Sequence, residues 1–147
     1  EDTMKIVTMA TIEKGMLART PVGSRLPSMK AHGDMTTWKG KKYGQYDISK
    51  IRSPYSYILI YTEGCGYCEE ELAGIDAIVS EFNSKDKQVK KVAKKTKVLV
   101  INLDKLMSTY PEEAYNLLDV FDLTALPFAV ALSQDGTVLH KYMSFVN

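Results

Sequence analysis

YILIYTEGCGYCEEEL, residues 57–72, holds both cysteines of the chain, Cys65 and Cys68, with two residues between them. The run SYILIYT, residues 56–62, is short, apolar and rich in β-branched and aromatic side chains, the pattern of a strand buried on both faces. Downstream, Leu72, Ile75, Ile78, Val79 and Phe82 recur at helical spacing. A helix is therefore expected to begin at the cysteines and to run to about Asn83. The pair sits where a buried strand hands over to an amphipathic helix.

Two thiols at this spacing can be a redox couple, metal ligands or a structural bridge. A structural zinc site takes about four ligands, and beyond the two cysteines the chain offers only two distant histidines, His32 and His140. Each histidine is more simply read as a surface or partly buried residue, and no metal is expected. A bridge across two intervening residues closes so small a loop that it removes little unfolded-state entropy. A helix N-terminus, by contrast, stabilises a thiolate through its free amide groups and dipole. In such a turn the first cysteine is exposed and the second lies deeper. Cys65 is thus expected to be the nucleophile and Cys68 the thiol that resolves a mixed disulfide.

Composition sets the frame. A chain of 147 residues with 45% hydrophobic content is of single-domain size and can bury a core. Its formal net charge of +1 gives no overall electrostatic reason to expect nucleic acid or an anionic membrane as partner. No run approaches the roughly 18 apolar residues of a transmembrane helix. With only two cysteines there is no disulfide framework of the secreted mini-protein kind.

The first 27 residues read as an arm with a short edge strand, and residues 28–147 as the domain. Residues 28–50 carry Gly33, Gly40 and Gly44 between strand-forming stretches, which suggests a hairpin ahead of the main fold, with the ordered core beginning after it. Residues 85–97, KDKQVKKVAKKTK, form a lysine block with Val89, Val92 and Ala93 on one helical face; a solvated helix end is the simple reading and a docking patch for an acidic partner the alternative. KVLVINLD, Lys97 to Asp104, reads as a second buried strand. PEEAYNLLDVF from Pro111 reads as a helix with Ser108 or Thr109 near its cap. FAVALS from Phe128 is a third strand, Gln134 to Gly136 a tight turn, and TVLHKYMSF a fourth strand. This order indicates an α/β domain with a mixed sheet.

Strand, Cys-x-x-Cys, long helix, strand, helix and then TALPFAVALSQDGTVLHKY together resemble the thioredoxin superfamily. That superfamily places a cis-proline just before the third strand, facing the cysteines, and Pro127 takes this place. Within it the chain is most similar to the TlpA/ResA-like thiol-disulfide oxidoreductases, with VGSRLP, residues 28–46 and DISKI standing where that group has its Gly-x-x-x-Pro approach, hairpin and short leading segment. Two positions depart from the pattern. Gly64 replaces the tryptophan usual before the first cysteine, with Tyr61 or Tyr67 available as substitute aromatic surface, and Leu59 stands where cytosolic thioredoxins carry a buried aspartate.

The resemblance implies a thioredoxin-like fold, a mixed central sheet flanked by helices with an N-terminal hairpin extension, and disulfide exchange with protein substrates. It implies a substrate groove at Pro127 and the backbone of Leu126, with Gly66 and Tyr67 beside it. It implies a redox partner protein, a monomer, no cofactor, and an exported, periplasmic or outward-facing location with a membrane tether outside these residues. Glu63, Glu69, Glu70 and Glu71 crowd the motif with negative charge. Solvated helix-start residues are the plain reading; the functional one is that Glu63 or Glu69 relays a proton or tunes the acidity of the couple. The resemblance favours a reductant, whereas the Gly66-Tyr67 dipeptide is similar to that of bacterial disulfide isomerases. A peroxiredoxin is disfavoured, since SYILIYTEGC lacks the Pro-x-x-x-Thr/Ser-x-x-Cys context. A non-catalytic binding module of the same fold remains the other class.

Overall fold

A computed structural model of the chain describes residues 20–70, 72–73 and 84–143. Its centre is one mixed sheet built from β1 (Lys30–Thr37), β2 (Gly40–Asp47), β3 (Tyr55–Tyr61), β4 (Thr96–Asn102), β5 (Phe128–Leu132) and β6 (Val138–Met143), in the spatial order β2-β1-β4-β3-β5-β6. Among the described residues only β3 and β4 run parallel, pairing from Tyr55 with Thr96 to Tyr61 with Asn102, and the other neighbours are antiparallel. The helices are α1 (66–70 and 72–73), α2 (Lys87–Lys94), α3 (Leu103–Thr109) and α4 (Pro111–Phe121), with a 3-10 turn at Ile48–Lys50. The expected continuation of α1 to Asn83 lies outside the described residues, as do most of the expected arm and the last residues of the fourth strand. Among the described residues, no helix is long and apolar enough to cross a membrane.

β3 is apolar on both faces, and Ile58, Leu59 and Ile60 are all buried, as the run SYILIYT foretold. The hairpin differs from expectation. Rather than preceding the core, β1 lies inside the sheet between β2 and β4, and Ala31 is fully buried in the main apolar cluster. Gly33 makes the approach possible. A Cβ at that position would stand 2.7 Å from the backbone oxygen of Val100 on β4, closer than any side chain tolerates. Residues 23–26 then cross to the far edge, where Gly23 donates to the Val138 carbonyl at 2.7 Å and Leu26 enters the core.

A second difference lies after β4. The apolar run continues into Leu103 and was expected to stay extended to Asp104, but the strand ends at Asn102. Its side chain accepts from the Lys105 amide at 3.1 Å, an N-cap that starts α3. Ser108 and Thr109 are consequently helical and do not cap α4. That role falls to Tyr110, without a side-chain bond, while Pro111 fills the first position and Glu112 and Glu113 favour the dipole. The helix closes on Asp122 in the left-handed conformation.

Glu113 ties α4 to the hairpin. Its carboxylate accepts from the His32 backbone amide at 2.8 Å and from Gln45 Nε2 at 2.7 Å, and it lies 2.9 Å from His32 Nδ1. The His32 ring stacks on Tyr110 with centroids 3.7 Å apart. Burial pushes the Glu113 carboxyl up, but the hydrogen bonds from His32 and Gln45 outweigh it and hold the group below its ordinary value. A depressed carboxyl contributes stability that is complete above the unfolded pKa, about 4.3, and is lost as pH falls through the folded value. Glu113→Gln is therefore expected to cost about 1–2 kcal/mol at pH 7, with the gap to the parent narrowing below about pH 4. Denaturant unfolding at the two pH values checks this; a gap independent of pH would remove the carboxylate charge from the account.

Candidate active site

The end of β3 delivers the cysteines. After Tyr61 the chain leaves the sheet through Thr62 and Glu63, turns at Gly64 with φ +74°, and enters α1 at 66. A positive φ suits glycine, which accounts for Gly64 at the position where the resemblance expects tryptophan. Cys65 caps the new helix, its carbonyl accepting from the Glu69 amide at 3.0 Å.

Cys65 is half-buried and Cys68 only 1% exposed, and both are free thiols. The Cys68 backbone N–H lies 3.2 Å from Cys65 Sγ, a donor aimed at the outer sulfur. Burial pushes the Cys68 thiol up to about 11; the hydrogen bond with Cys65 adds to this, and bonds from the Thr62 backbone and side chain only partly offset it. The inner sulfur is thus held as a thiol.

A groove of about 830 Å³ opens beside the outer sulfur. Cys65, Gly66, Tyr67 and Glu70 form one wall, and Leu103, Leu118, Leu123 and Leu126 much of the other. Leu126 and Pro127 are joined by a cis peptide bond, and the Leu126 carbonyl lies 4.0 Å from Cys65 Sγ. Of the residues expected here, Gly66, Tyr67 and Leu126 line the groove. Pro127, on the far side of that cis bond, is buried.

The glutamates divide. The Glu63 carboxylate turns away to β4, where Asn102 Nδ2 donates to it at 2.9 Å, and the Glu63 amide donates to Asp104 at 3.0 Å. Glu69 is exposed and outside the groove lining; Glu70 lies within it. The side chain of Glu71 is outside the described residues. Tyr67, 44% exposed, supplies aromatic surface on the groove, whereas Tyr61 is drawn to Asn102 on the opposite side.

Sequence reading passed over Thr62, Leu118 and Leu123. A hydroxyl three residues before Cys65, where a buried strand ends beside a helix start, was a usable signal for Thr62. Leu118 belongs to the apolar stripe of α4 with Ala114, Leu117 and Phe121 and packs against the core from its edge; an apolar residue at the edge of the stripe was the corresponding clue.

No protein-family model matches the chain, and no curated protein does. Solved structures do. The chain is similar to a thioredoxin-like protein from Bacteroides caccae, at 21% identity and a TM-score of 0.57, over 96% of this chain and 51% of that one. It is also similar to a candidate thiol:disulfide interchange protein, DsbE, from Chlorobium tepidum, at 14% identity and a TM-score of 0.54, over 86% of this chain and 88% of that one. At these identities the likeness bears on architecture. The chain has the thioredoxin-like α/β fold, and it carries a Cys-x-x-Cys pair where the central strand β3 meets the helix that follows.

Proposed function

We propose that the protein is a thiol-disulfide oxidoreductase that reduces disulfides of protein substrates through Cys65 and Cys68. The observation that carries this reading is the unequal placement of the two sulfurs: Cys65 borders an open groove, and Cys68 lies buried within reach behind it. In the reducing direction, the Cys65 thiolate attacks one sulfur of the substrate disulfide. The substrate S–S bond breaks, a mixed disulfide forms, and the departing substrate sulfur leaves as a thiolate that takes up a proton. Cys68 then gives up its proton and attacks Cys65 Sγ, breaking the mixed bond, releasing the second substrate thiol and closing Cys65–Cys68. Two electrons pass from the pair to the substrate, and a dithiol partner protein must return them.

Leu126 supports the way a substrate is held. Its backbone beside Cys65 offers an extended chain a strand-like edge to pair with, and Gly66 and Tyr67 border the same groove. Pro127, joined to Leu126 by the cis bond, shapes that edge beside Cys65. Glu70, on the groove wall, is a better candidate than Glu63 or Glu69 for influencing the reacting sulfurs. The resemblance to exported oxidoreductases supports work outside the cytoplasm, in a periplasm-like compartment.

The resemblance to the TlpA/ResA-like oxidoreductases supports the reducing direction. The Gly66-Tyr67 dipeptide favours the second reading, an isomerase or oxidase. Equilibrium of the pair against a thiol redox buffer separates them. A reductant is expected near the roughly −270 mV of thioredoxin, and a value of about −120 to −180 mV would transfer the assignment to an isomerase or oxidase. Absence of a reversible bridge would leave the non-catalytic binding module.

A further inference from the structure

The charges of this chain almost cancel, 19 basic against 18 acidic, yet lysines gather at one end of the sheet. Residues 85–97 hold seven lysines and one aspartate, and the carboxylate of that aspartate, Asp86, is taken up in capping α2 through the amides of Gln88 and Val89. Lys85, Lys87, Lys90, Lys91, Lys94 and Lys95 are all exposed. The β1–β2 turn comes to the same place, because Thr36 pairs with Val98 near the start of β4, directly after α2. The turn adds exposed Lys39, with exposed Lys41 and Lys42 following on β2.

Trp38 stands where the two segments meet. It is 45% exposed, with Lys94 Nζ 5.2 Å and Lys39 Nζ 5.6 Å from the ring centroid. Ammonium groups around an uncovered indole form a surface with two demands, negative charge and a place for apolar atoms at the level of that charge. We propose that this face docks on the surface of an anionic lipid bilayer, with the lysines at the headgroups and Trp38 entering the interface.

Two features favour a bilayer over nucleic acid or an acidic protein. Every cation of the turn and of residues 85–97 is lysine, a mobile point charge suited to a diffuse headgroup field; none is arginine, the residue suited to bidentate recognition of a defined phosphate or carboxylate. The exposed indole has the amphipathic character of residues that gather at membrane interfaces. Docking in this way leaves the cysteines free. They follow Tyr61, at the other end of the β3–β4 pair, about 20 Å of strand from the basic face. The inference does not depend on the redox reading.

Trp38 is the chain's one tryptophan, so its emission reports the event directly. The full chain is mixed with phosphatidylcholine vesicles containing about a third phosphatidylglycerol, and with phosphatidylcholine alone. The expected result is co-sedimentation and a blue-shifted emission with the anionic vesicles only, both weakening as salt is raised. The triple variant Lys90→Glu, Lys91→Glu, Lys94→Glu should lower the partition coefficient on the order of 100-fold while leaving the far-UV circular dichroism and the Cys65 exchange rate unchanged. Trp38→Ala, read by sedimentation, should weaken binding with every lysine kept. No emission shift on anionic vesicles overturns the proposal, and so does an equal shift on neutral ones. Tight binding of a polyglutamate peptide or an RNA oligonucleotide without vesicle binding would likewise overturn it, by giving the face to an acidic macromolecule.

Discussion

Cys65→Ser is expected to lower the rate of disulfide exchange by about a thousand-fold or more, because a serine hydroxyl stays protonated at neutral pH and cannot replace the thiolate nucleophile. Cys68→Ser is expected to behave differently. Cys65 still attacks, but the buried sulfur that would release the product is gone, and a stable one-to-one mixed disulfide accumulates. Mass spectrometry of the non-reduced sample should show the adduct for Cys68→Ser and none for Cys65→Ser, with dithiothreitol releasing it. The asymmetry rests on the 1% exposure of Cys68 against the groove position of Cys65. An adduct on Cys65→Ser in place of Cys68→Ser would invert the roles, and adducts on neither would remove the exchange mechanism. Thr62 sharpens the comparison, since its backbone and side chain bond the inner sulfur. Thr62→Val should leave the first attack intact and alter the rate at which the adduct resolves.

What could be read from residues alone followed the range of the interactions involved. β3, β5 and the turn at Gly136 are local patterns of apolar runs and turn formers, and they fall where the sequence suggests. The cysteines were legible for the same reason, since strand, pair and helix start are contiguous. α3 was missed because its start depends on one cap, Asn102, inside a run that otherwise continues the strand. Leu126 was expected at the groove, but Leu103, Leu118 and Leu123 were missed because they come from three separate segments that meet only in the fold. Side-chain partners were not legible either: nothing in the spacing says that the Glu63 carboxylate accepts from Asn102. The net charge of +1 is an average and does not show the lysines that residues 85–97 bring together with the β1–β2 turn.

Phe121→Ala should be the most damaging of the packing changes. Phe121 and Phe128 are buried to 1% and 0% exposure, with ring centroids 4.8 Å apart, and between them they join the last turn of α4 to the first residue of β5. Deleting such a ring removes its transfer free energy and leaves a cavity, about 3–5 kcal/mol. For a chain of this size that is a fall in Tm of roughly 6–20 °C. Phe121→Leu, which keeps most of the volume, should cost only about 1 kcal/mol. The joint also bears on the site, because Leu118 lies on the turn before Phe121, and Leu123 and Leu126 lie on the segment between the two rings. Phe128 in turn pairs with Ile60 on β3, five residues before Cys65. In the folded fraction, exchange with a small disulfide such as oxidised glutathione, which needs little beyond Cys65, should be nearly preserved. Exchange with a disulfide-bonded peptide, which also needs the Leu126 edge, should fall. Equal loss on both substrates would mean that the ring supports only the global fold, and a stability cost below about 1 kcal/mol would mean that the two rings are not the joint between α4 and β5.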